Sequence, residues 1–246
     1  MENMFASCHI LESINLISFK TKKVTNMNSM FWMCQVLKQL DLSSFNTKNL
    51  LYMDSMFLGC NNLKTIKFPK LFKLENIITM KNAFQDCYKL KEIDLPFNNN
   101  NNNNNNSSMD IRGMFNGCRS LKKIELSLKK NITSFDRLFA GCTSLEEVNI
   151  NSVNFTHVFS SFRMFSYCTS LKKIDLSNFN STKVYEMSEM FRNCTSLKEI
   201  NLSSFKSSSN IKMKDMFLKV PMFCKIISKD QRILTEFKNQ TKCIIY

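Results

Sequence analysis

Glycine and proline are scarce in this chain, with only four glycines and three prolines among its 246 residues. This composition argues against a fold whose turns depend on glycine, so asparagine and serine must form most of the turns. Hydrophobic residues make up 43% of the chain and aromatic residues 11%. The chain can therefore bury a substantial core, which argues against disorder of the whole molecule.

Long hydrophobic runs are also missing. No segment approaches the roughly 18 to 20 consecutive apolar residues that a membrane-spanning helix needs, so we expect no membrane span. The start, MENMFASCHILESINLISF, has neither a basic region nor a continuous apolar stretch and does not resemble a signal peptide. As it stands, the sequence predicts a cytoplasmic protein. Met1 and Met4 already have the spacing of a later repeat, so the alternative that more sequence precedes Met1 stays open.

Histidine is nearly absent, since His9 and His157 are the only two, and there is no C-x-x-C pair that could begin a zinc site. The sequence contains no G-x-S-x-G, phosphate-binding loop or H-E-x-x-H motif. We therefore predict no catalytic, cofactor or metal site and a protein that is not an enzyme. The alternative is an enzyme whose site lies outside the repeat, most plausibly in 218–246.

The balance of charge is strongly basic, with 34 lysines and arginines against 20 acidic residues and a net charge of +14. Such a charge attracts polyanions and anionic surfaces. The lysines are spread along the chain, however, and an A/T-rich genome raises the lysine and asparagine content without selection for binding. A nucleic-acid-binding repeat protein is therefore an alternative rather than the leading interpretation.

One motif recurs along most of the chain. Aligned on a phenylalanine, nine copies follow one another at intervals of 24 to 31 residues, most often 26. A fixed period of this length indicates a solenoid, in which stacked coils bury a common core. The aligned residues are Phe5, Phe31, Phe57, Phe84, Phe115, Phe139, Phe165, Phe191 and Phe217.

Each copy predicts the same three parts. The pattern L-x-x-I-x-L, as in MFRNCTSLKEINL at 190–202, alternates like a short strand. A polar corner follows, in which we expect Phe45 and Phe179 to turn inward. The next apolar residues recur at helical spacing and predict a short helix or 3₁₀ turn. Together these parts predict an α/β solenoid of eight coils and a degenerate ninth, with one parallel sheet and the short helices or turns on the opposite side.

These motifs resemble the BspA-like leucine-rich-repeat surface proteins. The similarity rests on M-x-x-M-F-x-x-C followed by L-x-x-I-x-L and the corner DLSSFNT, and it covers about residues 1–217. The repeat is similar to the 25-to-26-residue type of mycoplasma lipoproteins, other bacterial surface proteins and some protist proteins. The resemblance implies a leucine-rich-repeat fold, and it implies adhesion or partner binding, often at the cell surface. From the sequence as given we expect no signal peptide, lipobox or anchor beside the motif.

The repeat is interrupted once and decays at its end. Nine consecutive asparagines, 98–106, fill the longest interval and predict a loop inserted in the solenoid domain, 1–217. Codon-repeat expansion is the simplest origin of this tract. Residues 218–246 predict a degenerate last repeat and a terminal cap, with a short helix from about 229 to 238. A basic docking tail is the alternative for this segment.

A cysteine follows eight of the nine phenylalanines by three residues. At one position per coil, these cysteines are predicted to be free thiols that fill the core. Metal binding and disulfides are the alternatives, but neighbouring cysteines in register seldom have disulfide geometry. The eight are Cys8, Cys34, Cys60, Cys87, Cys118, Cys142, Cys168 and Cys194.

The candidate binding face consists of the two residues that flank the central aliphatic residue of each strand, because they point outward. Repeat proteins commonly recognise extended partners on such a surface, here a protein or cell-surface ligand. The alternative is that opposite charges only keep an exposed sheet soluble. A mostly basic column beside them runs from Glu12 through Lys38 to Lys198. The predicted contact residues are Gln39, Asp41, Glu92, Asp94, Lys123, Glu125, Lys173, Asp175, Glu199 and Asn201.

Overall fold

Successive L-x-x-I-x-L segments lie side by side as parallel strands in the computed structural model, so the chain winds into a β-solenoid. The structure describes residues 1–70, 72, 76–95, 108–128, 130–179 and 182–241, and the predicted asparagine loop at 98–106 lies outside them. The elements are β1 (Gln39–Asp41), β2 (Thr65–Lys67), β3 (Ser108–Met109), β4 (Lys123–Glu125), β5 (Asn131–Ile132), β6 (Glu147–Asn149), β7 (Lys173–Asp175), β8 (Glu199–Asn201), β9 (Lys225–Ile227) and α1 (Gln231–Thr241).

The strands pair one coil apart, so equivalent residues of the repeat become neighbours. Ile174 lies opposite Ile200, and both are buried, while Lys173 on the same strand is exposed. This confirms the parallel solenoid and the inward and outward assignment of the strand residues. Within the described residues the strands of the L-x-x-I-x-L segments form three hydrogen-bonded groups, β1 with β2, β4 with β6, and β7 with β8 and β9. The repeat interval is longest after residues 91–95. There Lys122 N donates a main-chain hydrogen bond to Lys91 O (3.2 Å), which links this coil to the next.

The repeat phenylalanines form a continuous column in the core. Rings in successive coils stack with centroids 5.3 to 5.9 Å apart and planes tilted by 3° to 17°. The corner phenylalanines form a second column, in which Phe179 lies between Phe155 and Phe205 at 5.0 and 5.3 Å. Phe45 is also buried, which confirms that the corners turn inward. Each coil thus contributes apolar side chains that only its neighbours can cover.

The segment at helical spacing forms hydrogen-bonded turns, and not a helix. In each coil the residues two before and two after the repeat phenylalanine have positive φ, as in Ser29 (52°) and Met33 (59°). Main-chain bonds such as Cys34 N to Phe31 O (3.1 Å) close the turns, while Phe31 N and Met33 N donate to the next coil. A helix would use these N–H groups internally, so it could not join neighbouring coils. All four glycines occupy positions of this kind, namely Gly59, Gly113, Gly117 and Gly141.

A second row of parallel strand pairs, which the sequence did not predict, precedes the turns in each coil. We call this row the second ladder. β3 pairs with β5, and single bridges connect equivalent residues of other coils. Side chains reinforce the ladder, because Asp136 Oδ1 accepts hydrogen bonds from the Ser160 hydroxyl and from Phe162 N. The bridged residues are Asn26, Tyr52, Thr79 and Asp110, and then Ser134, Ser160, Glu186 and Lys212.

Helix α1 covers the C-terminal end of the phenylalanine column. Asp230 caps it, since Oδ1 accepts hydrogen bonds from Arg232 N (3.0 Å) and Ile233 N (3.2 Å). The Phe237 ring packs edge-on against Phe217 with centroids 5.3 Å apart, and Ile233 is fully buried. The sequence predicted a helix here, and the structure places it at Gln231–Thr241. The domain boundary between 217 and 218 stays a prediction.

Candidate functional site

We use "strand face" for the outward side of β1, β2, β4, β6, β7, β8 and β9 together with the outward residues Glu92 and Asp94. The structure places all ten predicted contact residues on it. Eight are exposed, whereas Glu199 and Asn201 are half-buried. Because paired strands align equivalent residues, these residues lie about 4.8 Å apart in adjacent coils. The strand face therefore presents columns of side chains that run along the stack.

Two shallow grooves follow the strand face. The first has a volume of about 700 Å³ and is lined by residues including Gln39, Asp41 and Lys67. The second has a volume of about 560 Å³ and lies over β4 and β6, with Lys123 and Glu125 among its lining residues. Asp94 lines both grooves, so they adjoin one another. The grooves bring together six of the predicted contact residues, namely Gln39, Asp41, Glu92, Asp94, Lys123 and Glu125.

The column before the central strand residue forms an alternating ladder of charge. Lys123 Nζ lies 2.8 Å from Glu147 Oε2, and the Glu199 carboxylate lies between Lys173 (3.9 Å) and Lys225 (3.8 Å). All five side chains keep substantial exposure to solvent, so each pair contributes little to stability. The glutamate at 147 raises the pKa of Lys123, chiefly through its hydrogen bond. The ladder neutralises charge locally and leaves an ordered array of donors and acceptors.

The column after the central strand residue has a structural role that the sequence analysis missed. Asp41 Oδ1 accepts a hydrogen bond from Ser43 N (2.8 Å), and Asp175 Oδ1 accepts one from Ser177 N (2.9 Å). Asn201 makes the equivalent contact to Ser203 N at 3.1 Å. These side chains close the corner that follows each strand, as Asp and Asn commonly do in turns. The D-L-S spacing of the repeat was the available signal for this role.

The cysteines form a ladder of thiols inside the solenoid. Cys168 Sγ donates a hydrogen bond to Phe139 O at 3.1 Å, and Cys60 donates to Phe31 O at the same distance. All the repeat cysteines except Cys8 are fully buried, as predicted for core-filling thiols. Burial raises the pKa of the thiols, that of Cys34 to about 11. A thiol held neutral in this way is a poor nucleophile and a poor metal ligand.

The two histidines lie apart from one another in the repeat. His9 Nδ1 contacts Met33 O at 3.1 Å, and His157 Nδ1 contacts the hydroxyl of its neighbour Thr156 at 2.9 Å. Across the part of the chain that the structure describes, no three His, Cys, Asp or Glu side chains gather as metal ligands would. The same part contains no helix with the length and apolar character needed to cross a bilayer.

Comparisons with known proteins found one matching family model and several solved leucine-rich-repeat structures of low similarity. No curated protein matches the chain significantly. The chain is 20% identical to a leucine-rich-repeat protein of T. pallidum, with 60% of this chain and 72% of that one covered (TM-score 0.38). A leucine-rich cell surface protein of Faecalibacterium prausnitzii is 16% identical over 97% and 70% (TM-score 0.40). A leucine-rich-repeat protein of Leptospira interrogans is 13% identical over 80% and 62% (TM-score 0.34).

The family relationship comes from the repeat sequence itself. A family model described as "Mycoplasma protein of unknown function" matches residues 1–124 and again 109–229, which together include all nine repeat phenylalanines. This match confirms the BspA-like leucine-rich-repeat character that the motifs indicated. The chain belongs to the DUF285 family.

Proposed function

We propose that this protein is a non-catalytic interaction scaffold, and that its strand face binds an extended protein or a cell-surface ligand. Leucine-rich-repeat folds commonly serve as scaffolds for protein interaction. The observation that supports this assignment most is the pair of adjoining grooves on the strand face, whose lining side chains differ from coil to coil. From the second coil onward the repeated Phe, Met and Cys side chains are buried, so they are used for packing.

The shape of the strand face suits an extended partner. Adjacent coils are about 4.8 Å apart, so the face from Gln39 to Lys225 extends for roughly 35 Å. Shallow grooves along such a surface accommodate a strand or loop better than a small compact ligand. The alternating charges of Lys123, Glu147 and Lys173 provide a pattern that an oppositely patterned partner can match.

A nucleic-acid-binding role is the second candidate, and one observation favours it. A row of exposed lysines runs beside the strand face, one per coil in most coils. Two of them are engaged by carboxylates, since Lys38 lies 3.0 Å from Glu12 and Lys172 lies 3.2 Å from Glu146. A nucleic-acid complex would weaken steeply with salt and would not depend on sequence. The exposed lysines are Lys38, Lys64, Lys91, Lys122, Lys172 and Lys198.

Site-specific photo-crosslinking tests the proposed face. A photoreactive amino acid replaces Thr65 or Lys173 on the strand face, and exposed Trp32 on the turn segment serves as the matched control position. We expect protein adducts of the same mass from both strand-face positions, formed at high salt as well as low salt. Adducts that form equally from position 32 would contradict the assignment. Adducts only with nucleic acid would favour the second candidate.

A further inference from the structure

The second ladder borders a groove that is separate from the strand face. We call it the aromatic groove, with a volume of about 860 Å³, and its lining includes Ile78, Asp110, Arg112, Phe159 and Tyr185. It runs along the stack over several coils, from Ile78 to Tyr185. None of its lining residues belongs to the ten predicted contact residues of the strand face.

Two large rings stand exposed in the aromatic groove. Phe159 and Tyr185 are 41% and 52% exposed, and they occupy equivalent positions in adjacent coils, with Tyr185 N donating to Phe159 O at 3.0 Å. Packing does not require rings at this position of the repeat, because the preceding coil has Thr133 and the following coil has Ile211. Exposed aromatic side chains grouped in a concave surface are typical of binding sites.

Polar side chains of the groove lining are hydrogen-bonded to one another. Arg112 donates hydrogen bonds to both Asp110 oxygens, from Nε at 3.0 and 3.1 Å and from a terminal nitrogen at 2.6 Å. Ser160 and Asp136 are fixed by their mutual hydrogen bond. Side chains that are ordered before binding lose little conformational entropy when a ligand arrives.

The charge of the groove is opposite to that of the protein. Its lining contains three acids, Asp110, Asp136 and Glu186, and one base, Arg112, which gives a formal charge of −2 in a chain of +14. Arg137 and Arg163 lie over the Phe162 ring at the border of the groove, at 5.4 and 4.9 Å. The three carboxylates of the lining nevertheless disfavour a phosphate or sulfate group placed beside them. Rings flanked by neutral hydroxyls and carboxylates favour a ligand that is uncharged and rich in hydroxyl groups.

We propose that the aromatic groove binds a neutral oligosaccharide. The rings of Phe159 and Tyr185, which lie one coil apart, stack on the apolar faces of sugar units. The Asp110 and Arg112 pair hydrogen-bonds the sugar hydroxyls. A peptide cannot add as a further strand at this point, because Phe159 N, Tyr185 N and Lys212 N already donate to the preceding coil.

Calorimetric titration with neutral hexasaccharides of glucose, mannose, galactose and N-acetylglucosamine tests the proposal. We expect at least one to bind with an affinity that salt does not change. Phe159→Ala and Tyr185→Ala should each weaken binding by about tenfold, because each removes one stacking surface. Tyr167→Ala is the matched control, since Tyr167 is 49% exposed and lies outside the groove. Circular dichroism checks that each variant is folded.

Three outcomes would overturn the proposal: no neutral hexasaccharide binds, both ring variants bind normally, or the control weakens binding as much as they do. A peptide that binds at the two rings in place of any saccharide would assign the groove to another ligand class. The test is independent of the strand face. Saccharide binding should be unchanged in a variant that exchanges the charges of Lys123 and Glu147.

Discussion

The ring of Phe165 lies parallel to the ring of Phe191, with centroids 5.8 Å apart and an angle of 3° between the planes. Both rings are fully buried, and each also stacks on the ring of its other neighbouring coil. The stacked rings therefore form much of the contact between one coil and the next. Because each coil contacts mainly its neighbours, loss of one ring should weaken the two interfaces that it joins.

Phe165→Ala should therefore reduce the free energy of unfolding by about 3 to 5 kcal/mol, since it removes a large buried side chain and leaves a cavity. Chemical denaturation measures the effect. Phe223→Ala is the control, because Phe223 is 76% exposed and its truncation should change stability by less than about 0.5 kcal/mol. Equal effects of the two substitutions would show that the column does not carry the packing.

The buried thiols should make the protein less stable at alkaline pH. Their pKa values are raised by burial above the ordinary 9.0, to about 11 for Cys34 and Cys224. The unfolded chain loses these protons first, so stability is fully present below pH 9 and falls as pH rises through the raised pKa values. Denaturation at a series of pH values measures this slope. Cys168→Ser should make it shallower, and an unchanged slope would contradict the explanation.

The same burial predicts slow thiol chemistry. A thiol reagent should react slowly with the repeat cysteines in the native protein, and rapidly after denaturation, because the buried thiolate is disfavoured. Cys8 is the internal comparison, since it is partly exposed and should react first. Rapid native labelling of all eight cysteines, or several disulfides in freshly isolated protein, would contradict the packing described for Cys168 and its equivalents.

The inside and outside of each strand could be predicted from sequence because a period of two combined with a period near 26 fixes which side chains face the core. The turns could not be predicted in this way. Ser29, Met33 and their equivalents have positive φ without being glycine, so composition gave no sign of left-handed backbone. The hydrogen bond that the Cys168 thiol donates to Phe139 O could not be predicted either, because it depends on how neighbouring coils are offset.

The corner aspartates are the clearest case in which the sequence suggested a freely replaceable surface residue. The exposure of Asp175 alone would predict an unchanged thermal midpoint for Asp175→Ala. Since Asp175 Oδ1 accepts a hydrogen bond from Ser177 N, we expect a loss of about 1 kcal/mol. Asp175→Asn should be neutral, because asparagine occupies the same position at Asn149 and Asn201. Thermal denaturation distinguishes the two variants, and equal stability of both would show that the corner bond is unimportant.

Glu189 should contribute stability that is lost in acid. Its pKa lies below the ordinary 4.5, chiefly because Arg163 donates hydrogen bonds to it at 2.8 and 2.9 Å; burial opposes the shift, and Arg192 adds to it. A lowered pKa means that the contribution is present above pH 4.5 and disappears as pH falls through the folded-state value. Glu189→Gln should cost about 1 kcal/mol at neutral pH and flatten the acid limb of the stability profile. A profile with the same acid limb as the parent would contradict this.

The central claim is that the strand face binds a partner through its pattern of charges, and exchanging Lys123 and Glu147 tests it most directly. The double substitution Lys123→Glu with Glu147→Lys keeps an ion pair like the one at 2.8 Å and keeps the total charge, so it separates binding from stability. The measurement is the affinity for the partner captured at positions 65 and 173, beside the thermal midpoint. We predict an unchanged midpoint and an affinity at least about tenfold weaker, since like charges then face the partner. Unchanged affinity would contradict the account and place the binding site elsewhere on the solenoid.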